Sequence, residues 1–194
     1  ISSGLSAMNS LIQQAVKTVP GKQFGVIDTK HLSVSQGLIL KRMAEAISEG
    51  RSFEDIMALS EYWVEKTKLL VDIQTLKYMV RSGRVSPLKG MVAKLLNLKP
   101  IISLDEEGKA FGMGKTFSRK SNSKKIIKII EGWSAEKKIR DYAIVHAQNL
   151  ARAEMYSEKL EKVTGLKPSY IMDVSPVVGV HNGIGVVGIG VMFD

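Results

Sequence analysis

One histidine of this chain lies where glycines leave room for a ligand. His181 follows an apolar, strand-like run, and Gly179, Gly183 and Gly185 stand close to it in sequence. An imidazole changes charge near neutral pH, so it can donate a hydrogen bond to an anion or move a proton. Residues 186–193 are apolar again. We therefore expect His181 in a slim turn between two strands, where a ligand can reach it.

Three serines at the start of the sequence form a second candidate site. Ser2, Ser3 and Ser6 flank Gly4, and apolar residues at helical spacing follow them. Hydroxyls and free backbone N–H groups at a helix N-terminus can bind an anion. The same residues are typical of a helix N-cap, and the serines alone favour that interpretation over an anion site.

Basic residues supply further candidates. Arg84 lies in a predicted turn, where it could bind an anion or simply be solvated. Lys115, Arg119 and Lys120 begin a basic series, which is either a solvated surface or a docking surface for an acidic protein. The net charge of +9 indicates an acidic partner, nucleic acid, or an anionic ligand or membrane surface. Aromatic residues are only 6% and no nucleic-acid-binding signature is present, which weakens the nucleic-acid interpretation.

Composition excludes several chemistries. Without cysteine the chain has no disulfide, thiolate ligand or cysteine nucleophile. The three histidines are far apart and lack the HExxH spacing, so we expect no metal site. Gly183, Gly185 and Gly188 match G-x-G-x-x-G, but only six residues follow Gly188, too few for the helix and strand of a dinucleotide fold.

Composition also indicates the broad class of protein. The apolar content of 44% and charged content of 24% are those of a globular protein. No apolar run reaches 18 residues and no charged-then-apolar leader is present, so we expect no transmembrane segment and a cytoplasmic location. The first residue is Ile1 rather than methionine, and we expect the chain to be a fragment of a longer protein.

Apolar periodicity predicts the elements that position these residues. Helices are predicted over residues 5–16, 35–48, from 52 onward, 75–81, 87–96, around 126–130, and 149–164. Strands are predicted over residues 24–27, 69–73, 142–146, 170–174 and 186–193, and the turn 105–108 joins residues 100–104 and 109–117 in a hairpin. Strands alternating with helices, plus one hairpin, predict an α/β domain with a mixed or antiparallel sheet.

The last predicted strand has two different faces. Ile189, Val191 and Phe193 share one face because side chains alternate along a strand. Gly188 and Gly190 lie on the other face. Such glycines leave space either for a helix packed closely on the sheet or for a ligand chain.

Six stretches carry a family resemblance. They are ISSGLSAMNS, VIDTKHLSVSQGLIL with EGRSFEDI, TLKYMVRSGRVS, LLNLKPIISLDEEGKAF, AIVHAQN and SPVVGVHNGIGVVGIG. In this order and at this spacing they resemble the DegV family of bacterial fatty-acid-binding proteins. The resemblance implies a DegV-like α/β fold, with residues 1–30 as the remnant of an N-terminal α/β domain and residues 31–194 as a C-terminal lipid-binding domain with a mixed or antiparallel sheet.

The resemblance also implies a ligand and its contacts. DegV proteins hold a long-chain fatty acid in an apolar tunnel, and the carboxylate is bound by the serine-rich turn, an upstream threonine and the histidine of the last motif. On this sequence the implied contacts are Ser3 first, then Ser2 and Ser6, with His181; Arg84 is a secondary candidate. Two departures concern these motifs: Ala-Met-Asn replaces the usual Gly-Thr-Tyr after the serines, and Ser-Gly replaces the double glycine before the arginine.

A partner is implied as well. Family members present the fatty acid to a kinase of the dihydroxyacetone-kinase type, which converts it to an acyl phosphate for phospholipid metabolism. The chain would then be a binding subunit without catalytic residues or cofactor, and Lys115, Arg119 and Lys120 are its candidate docking residues. Two rivals stay open: a basic nucleic-acid-binding or regulatory module, and a hydrolase using Ser3 and His181, for which the sequence offers no persuasive acidic third member.

Overall fold

A single mixed sheet organises the protein. The computed structural model describes residues 1–84 and 99–194. The strands are β1 (Thr67–Asp72), β2 (Lys99–Leu104), β3 (Ala110–Thr116), β4 (Ile139–His146), β5 (Ile171–Asp173) and β6 (Val187–Phe193), in the order β3-β2-β1-β6-β4-β5 across the sheet. Only β4 and β5 run parallel; the other neighbouring strands are antiparallel. The predicted α/β class with a mixed sheet is confirmed.

Seven helices occur in the described residues. They are α1 (Met8–Val16), α2 (Ser33–Ser48), α3 (Phe53–Glu65), α4 (Lys77–Arg81), α5 (Arg119–Glu136), α6 (Leu150–Thr164) and α7 (Pro176–Asn182). The Ser52 hydroxyl caps α3 by accepting a hydrogen bond from the Asp55 N–H, and α6 ends at Gly165 in a left-handed conformation. The helix predicted over residues 87–96 lies outside the described residues.

The helices cover the sheet on two faces. One face packs against α5 and α6, and its buried residues include Ile189 and Val191, which share a side of β6 as predicted. The opposite face packs against α2 and α3. A Cβ on Gly190 would lie 3.1 Å from the backbone N of Ser35, so this glycine lets α2 approach the sheet closely.

The predicted hairpin is confirmed. Strands β2 and β3 pair antiparallel with one register shift. Their turn is closed by hydrogen bonds from the Asp105 N–H to the Lys109 carbonyl and from the Gly108 N–H to the Asp105 carbonyl, at 3.0 and 2.9 Å. Gly108 has a φ of +72°, a left-handed conformation that suits glycine.

Two predicted strands are wrong. The apolar run before His181 is helix α7, because Pro176 at its first turn presets the helical φ and outweighs the strand preference of the valines that follow. His181 therefore lies in the last turn of a helix, not between two strands. Residues 24–27 join no strand in the described part of the chain; Phe24 is exposed and Gly25 packs against the Met57 side chain of α3.

Candidate functional site

A cavity of about 200 Å³ lies on the α2 side of the sheet. Its floor is formed by apolar side chains of the strands, among them Val71, Ile102 and Val145. Leu5 from the start of the chain and Met79 of α4 line it as well, together with side chains of α7. Such a lining favours a hydrocarbon, because each buried methylene contributes about 0.8 kcal/mol.

Few of the described residues that line this cavity are polar. They are Ser6, Ser33, Arg84, His181 and Asn182. A small set of polar groups in an otherwise apolar cavity fixes the orientation of a ligand that has one polar end. The chemistry that this arrangement offers is therefore the binding of an amphiphile.

His181 carries a free hydrogen-bonding atom. Its Nδ1 is buried and, among the described residues, has no hydrogen-bond partner. Helix α7 ends directly after it, where the Gly183 N–H donates to the Gly179 carbonyl across 2.7 Å and Gly183 adopts a φ of +86°. Because buried polar atoms are normally paired, an unpaired nitrogen on a residue that lines the cavity marks His181 as a candidate contact for a polar ligand group.

Ser6 and the start of α2 add hydrogen-bond donors to the lining. The Ser6 oxygen accepts from the Met8 N–H at 3.2 Å, and its hydroxyl donates to no group among the described residues, so it can donate to a ligand in the cavity that Ser6 lines. Helix α2 begins at the cavity with Ser33, and its N-cap residue Leu32 provides no side-chain cap. The first backbone N–H groups of a helix are donors without an intrahelical partner.

Ser2 is placed elsewhere. It is fully buried, outside the cavity lining, and its hydroxyl donates to the Gly108 carbonyl at 2.7 Å. The same oxygen accepts from the Gly4 N–H at 3.1 Å, and the Ser2 N–H donates to the His31 carbonyl at 2.8 Å. Ser2 thus ties the serine-rich turn to the β2–β3 hairpin, and its contact with a ligand stays a prediction.

Ser3 is bound to Asp28. Its hydroxyl donates to one carboxylate oxygen, and its backbone N–H donates to the other at 3.1 Å. Burial by itself raises the pKa of Asp28, but hydrogen bonds from the Ser3 hydroxyl and from backbone N–H groups outweigh it and hold the pKa below its ordinary value. Ser3 lies outside the lining, so its contact with a carboxylate also stays a prediction.

The predicted basic candidates differ in placement. Arg84 lines the cavity and donates to the Ser82 carbonyl at 2.5 Å. Lys115 and Lys120 are exposed, whereas the half-buried Arg119 donates to the carbonyl of Gly185. For Lys115, Arg119 and Lys120, a role in docking a partner stays a prediction.

Other chemistries find little support in the described residues. Ser3 and His181 share no hydrogen bond there, so the geometry lacks the nucleophile–base pair of a hydrolase. Within residues 1–84 and 99–194, no group of three or more His, Asp or Glu side chains is arranged to hold a metal ion. In the same ranges, none of the helices is long and apolar enough to cross a membrane.

Comparison with known proteins decides the family. A protein-family model described as "Uncharacterised protein, DegV family" matches residues 1–194. The chain belongs to the DegV family. It is 31% identical over 191 residues to a DegV domain-containing protein of Clostridium perfringens, covering 98% of this chain and 68% of that protein. The family resemblance of the six motifs is thereby confirmed.

Solved DegV structures share the fold. The fatty-acid-binding DegV family protein of Streptococcus agalactiae superposes with a TM-score of 0.87 at 27% identity, covering 99% of this chain and 68% of that one. DegV of Bacillus subtilis, a fatty-acid-binding protein, superposes with a TM-score of 0.88 at 25% identity, covering 100% and 68% of the two chains.

Two polar cavity residues were missed by sequence reasoning. Asn182 directly follows His181, and its amide donates to the Val178 carbonyl at 2.9 Å while the residue lines the cavity. Its position next to His181 could have indicated a cavity residue if the segment had been predicted as the end of a helix. Ser33 gave no such signal, because its cavity position depends on the irregular φ of +52° with which α2 begins.

Proposed function

We propose that this DegV protein binds a long-chain fatty acid, with the acyl chain in the apolar cavity and the carboxylate at His181 and Ser6. The observation that carries the proposal is that His181 lines an apolar cavity and that its buried Nδ1 has no hydrogen-bond partner among the described residues. Relatives from Streptococcus agalactiae and Bacillus subtilis with the same fold are described as fatty-acid-binding proteins, which supports the same ligand class.

The energetics of such a ligand fit this cavity. Burying a carboxylate costs free energy unless several donors replace its water. The Ser6 hydroxyl, the imidazole and the first N–H groups of α2 are donors of this kind, and Arg84 adds positive charge at the same cavity. The methylenes, at about 0.8 kcal/mol each, supply most of the affinity.

Among the serines we place Ser6 first as a carboxylate contact. Its hydroxyl proton is free and the residue lines the cavity, whereas the hydroxyls of Ser2 and Ser3 are donated to Gly108 and Asp28. Ser2 and Ser3 then act by shaping the turn that presents Ser6. A change of conformation on binding would be needed to bring Ser3 itself to the ligand.

We further propose a role in presenting the fatty acid to a kinase of the dihydroxyacetone-kinase type. In that role the kinase transfers the phosphoryl group and the DegV protein contributes binding alone. The exposed Lys115 and Lys120 are the docking candidates that an acidic surface could reach directly. The family resemblance further implies that residues 1–30 belong to an N-terminal α/β domain and residues 31–194 to the C-terminal lipid-binding domain.

The binding proposal is tested with matched ligands. Lipid extracted from the denatured protein is identified by mass spectrometry, and the delipidated protein is then titrated with palmitate and with hexadecanol. We expect co-purified fatty acid and tighter binding of palmitate, because only the acid can use the anion site. His181→Ala should weaken palmitate at least about tenfold, as expected for the loss of one charge-assisted hydrogen bond. Lys159→Gln, at an exposed position of α6, is the control.

The presenting role has a separate test. ATP-dependent formation of acyl phosphate is followed with a dihydroxyacetone-kinase-type kinase from the same cell, with and without the DegV protein. We expect turnover only when both proteins are present, and a slower rate for the Lys115→Glu, Lys120→Glu variant at unchanged palmitate affinity. Equal rates for this variant and the wild type would remove the two lysines from docking.

A further inference from the structure

Two side chains at the starts of α5 and α6 hold one backbone carbonyl next to the cavity. Nη2 of Arg119 and Nδ2 of Asn149 both donate to the Gly185 carbonyl, at 2.7 and 2.9 Å. The Gly185 N–H donates in turn to the Ala147 carbonyl at 2.8 Å. Both polar groups of this residue are therefore fixed, and one of its bonds comes from a charged donor, the stronger kind.

The carbonyl belongs to the loop that follows His181. Gly183 and Gly185 have φ values of +86° and +84°, which other residues adopt only with strain. Side chains at these positions would collide with Tyr78 and Gln74, so the loop runs against the β1–α4 region without space to spare. The loop ends at Val186, which lines the cavity that also contains His181.

Helix α7 packs only shallowly, against α4. None of its residues is buried, and its Val177 and Val180 side chains are 67% and 69% exposed. The chain enters the helix after a hydrogen bond from the Val174 N–H to the His146 carbonyl at 2.8 Å. It leaves through the Gly185 loop. Because a helix without buried residues gains little from packing, these two attachments act together with the contact between α7 and α4 to set where His181 lies.

The backbone of Arg119 is itself held by a hydrogen bond from Arg152. Nη2 of Arg152 donates to the Arg119 carbonyl at 2.8 Å, and Nε of Arg152 donates at 2.5 Å to Asp72, which is only 1% exposed. Burial, followed by the charge of Arg152, lowers the pKa of the Arg119 guanidinium from its ordinary value. A half-buried guanidinium that donates to a backbone carbonyl is held in place, unlike a fully solvated surface charge.

We propose that Arg119 is a positioning residue for the anion site: through the Gly185 carbonyl it holds the end of α7 so that Nδ1 of His181 faces the cavity. The inference rests on the proposed binding of a fatty-acid carboxylate by His181. On this proposal Arg119 supports the binding site and does not contact a docking partner. Asn149, the second donor to the same carbonyl, acts in the same way.

The test compares an acid with an alcohol of equal chain length. Palmitate and hexadecanol are titrated against the wild type, Arg119→Met, Arg119→Lys and Asn149→Ala, with Arg51→Met as the control at an exposed position. We expect Arg119→Met to lose about tenfold or more in palmitate affinity, with hexadecanol changed less than about twofold. Arg119→Lys should restore part of the loss, and Asn149→Ala should show a smaller loss of the same kind.

The ratio of the two affinities separates positioning from general stability. A purely structural role would weaken both ligands together and leave the ratio unchanged, which would overturn the inference. If Arg119→Met does not fold, Asn149→Ala provides the test. An unchanged ratio of palmitate to hexadecanol affinity in Asn149→Ala would also overturn the positioning role. A wild type that binds both ligands equally would instead overturn the proposed carboxylate site, so the two failures are distinguishable.

Discussion

Nε of Arg152 lies 2.5 Å from Oδ2 of Asp72; the Asp72 side chain is 1% exposed and the Arg152 side chain 14%. Asp72 ends β1, and its carboxylate also accepts hydrogen bonds from the Tyr156 hydroxyl at 3.0 Å and the Asn122 amide at 2.6 Å. A buried carboxylate with three donors belongs to a network in which each member depends on the others.

We expect Asp72→Ala to destabilise the protein by about 3–5 kcal/mol, because the substitution leaves the buried Arg152 guanidinium without its counter-charge. The free energy of unfolding, measured by urea denaturation at pH 7, checks this. Glu49→Ala removes a more exposed ion pair with Arg42 and should cost less than about 1 kcal/mol. Equal losses in the two variants would contradict the special role of the buried pair.

His31 is a buried base that folding keeps neutral. It is 6% exposed; Nε2 lies 3.3 Å from the Val64 carbonyl, and Nδ1 is buried without a partner among the described residues. Burial, opposed by the Val64 bond and assisted by the charge of Lys68, lowers the pKa of His31 to about 4. In the unfolded chain a histidine has a pKa of about 6.5.

Stability should therefore fall as pH drops through this window. Between about pH 6.5 and 4 the unfolded state binds a proton at His31 that the folded state does not, so unfolding becomes easier by about 1.4 kcal/mol per pH unit, to a total of about 3 kcal/mol. Above about pH 6.5 the histidine is neutral in both states and this loss is absent.

His31→Gln keeps a donor for the Val64 carbonyl and removes the titration. Its free energy of unfolding, measured by urea denaturation from pH 7.5 to 4, should decline less steeply than that of the wild type. Parallel curves for the two proteins would show that His31 does not govern the acid sensitivity.

Much of the fold could be predicted because its elements carry local signals. The hairpin at residues 105–108 has a turn with glycine at the left-handed position, and α3 has a serine cap with acidic residues in its first turn. Helix α7 was missed because valines favour strands in general, whereas the effect of Pro176 depends on its exact place at a helix start. The strand predicted over residues 24–27 was wrong for a related reason. This short run contains apolar residues and packs at Gly25 against α3, and its composition alone resembles that of a strand.

The candidate site was predictable only in part. His181 and Ser6 line one cavity although 175 positions separate them. The family resemblance named Ser6 only as a further candidate and placed Ser3 first, which lies outside the lining. The hydrogen bonds of Ser2 and Ser3 were not predictable, because Gly108 and Asp28 are brought to them by the tertiary fold. The same holds for Arg119, whose charge in a basic series suggested a surface role while its guanidinium is bound to Gly185.

Gly132 offers a simple gain in stability. It lies exposed within α5, where an added Cβ would meet no atom within 4 Å. Glycine in a helix interior costs about 0.8–1 kcal/mol relative to alanine, so Gly132→Ala should stabilise the protein by roughly that amount. Thermal denaturation at pH 7 measures the change, and a lower melting temperature would contradict the expectation.

Gly188 should limit the length of the ligand. It lines the cavity, and a Cβ there would lie 3.1 Å from Cγ2 of Val145 and 3.6 Å from Cγ1 of Val34. An added methyl group therefore takes space from the acyl chain, and each methylene that it excludes should lower affinity about fourfold. We expect Gly188→Ala to weaken palmitate by at least that factor while laurate changes little, as measured by displacement of a fluorescent fatty acid. Gly132→Ala, remote from the cavity, should leave both affinities unchanged. Equal weakening of the two acids by Gly188→Ala would instead show that the methyl group disturbs the anion site rather than the chain.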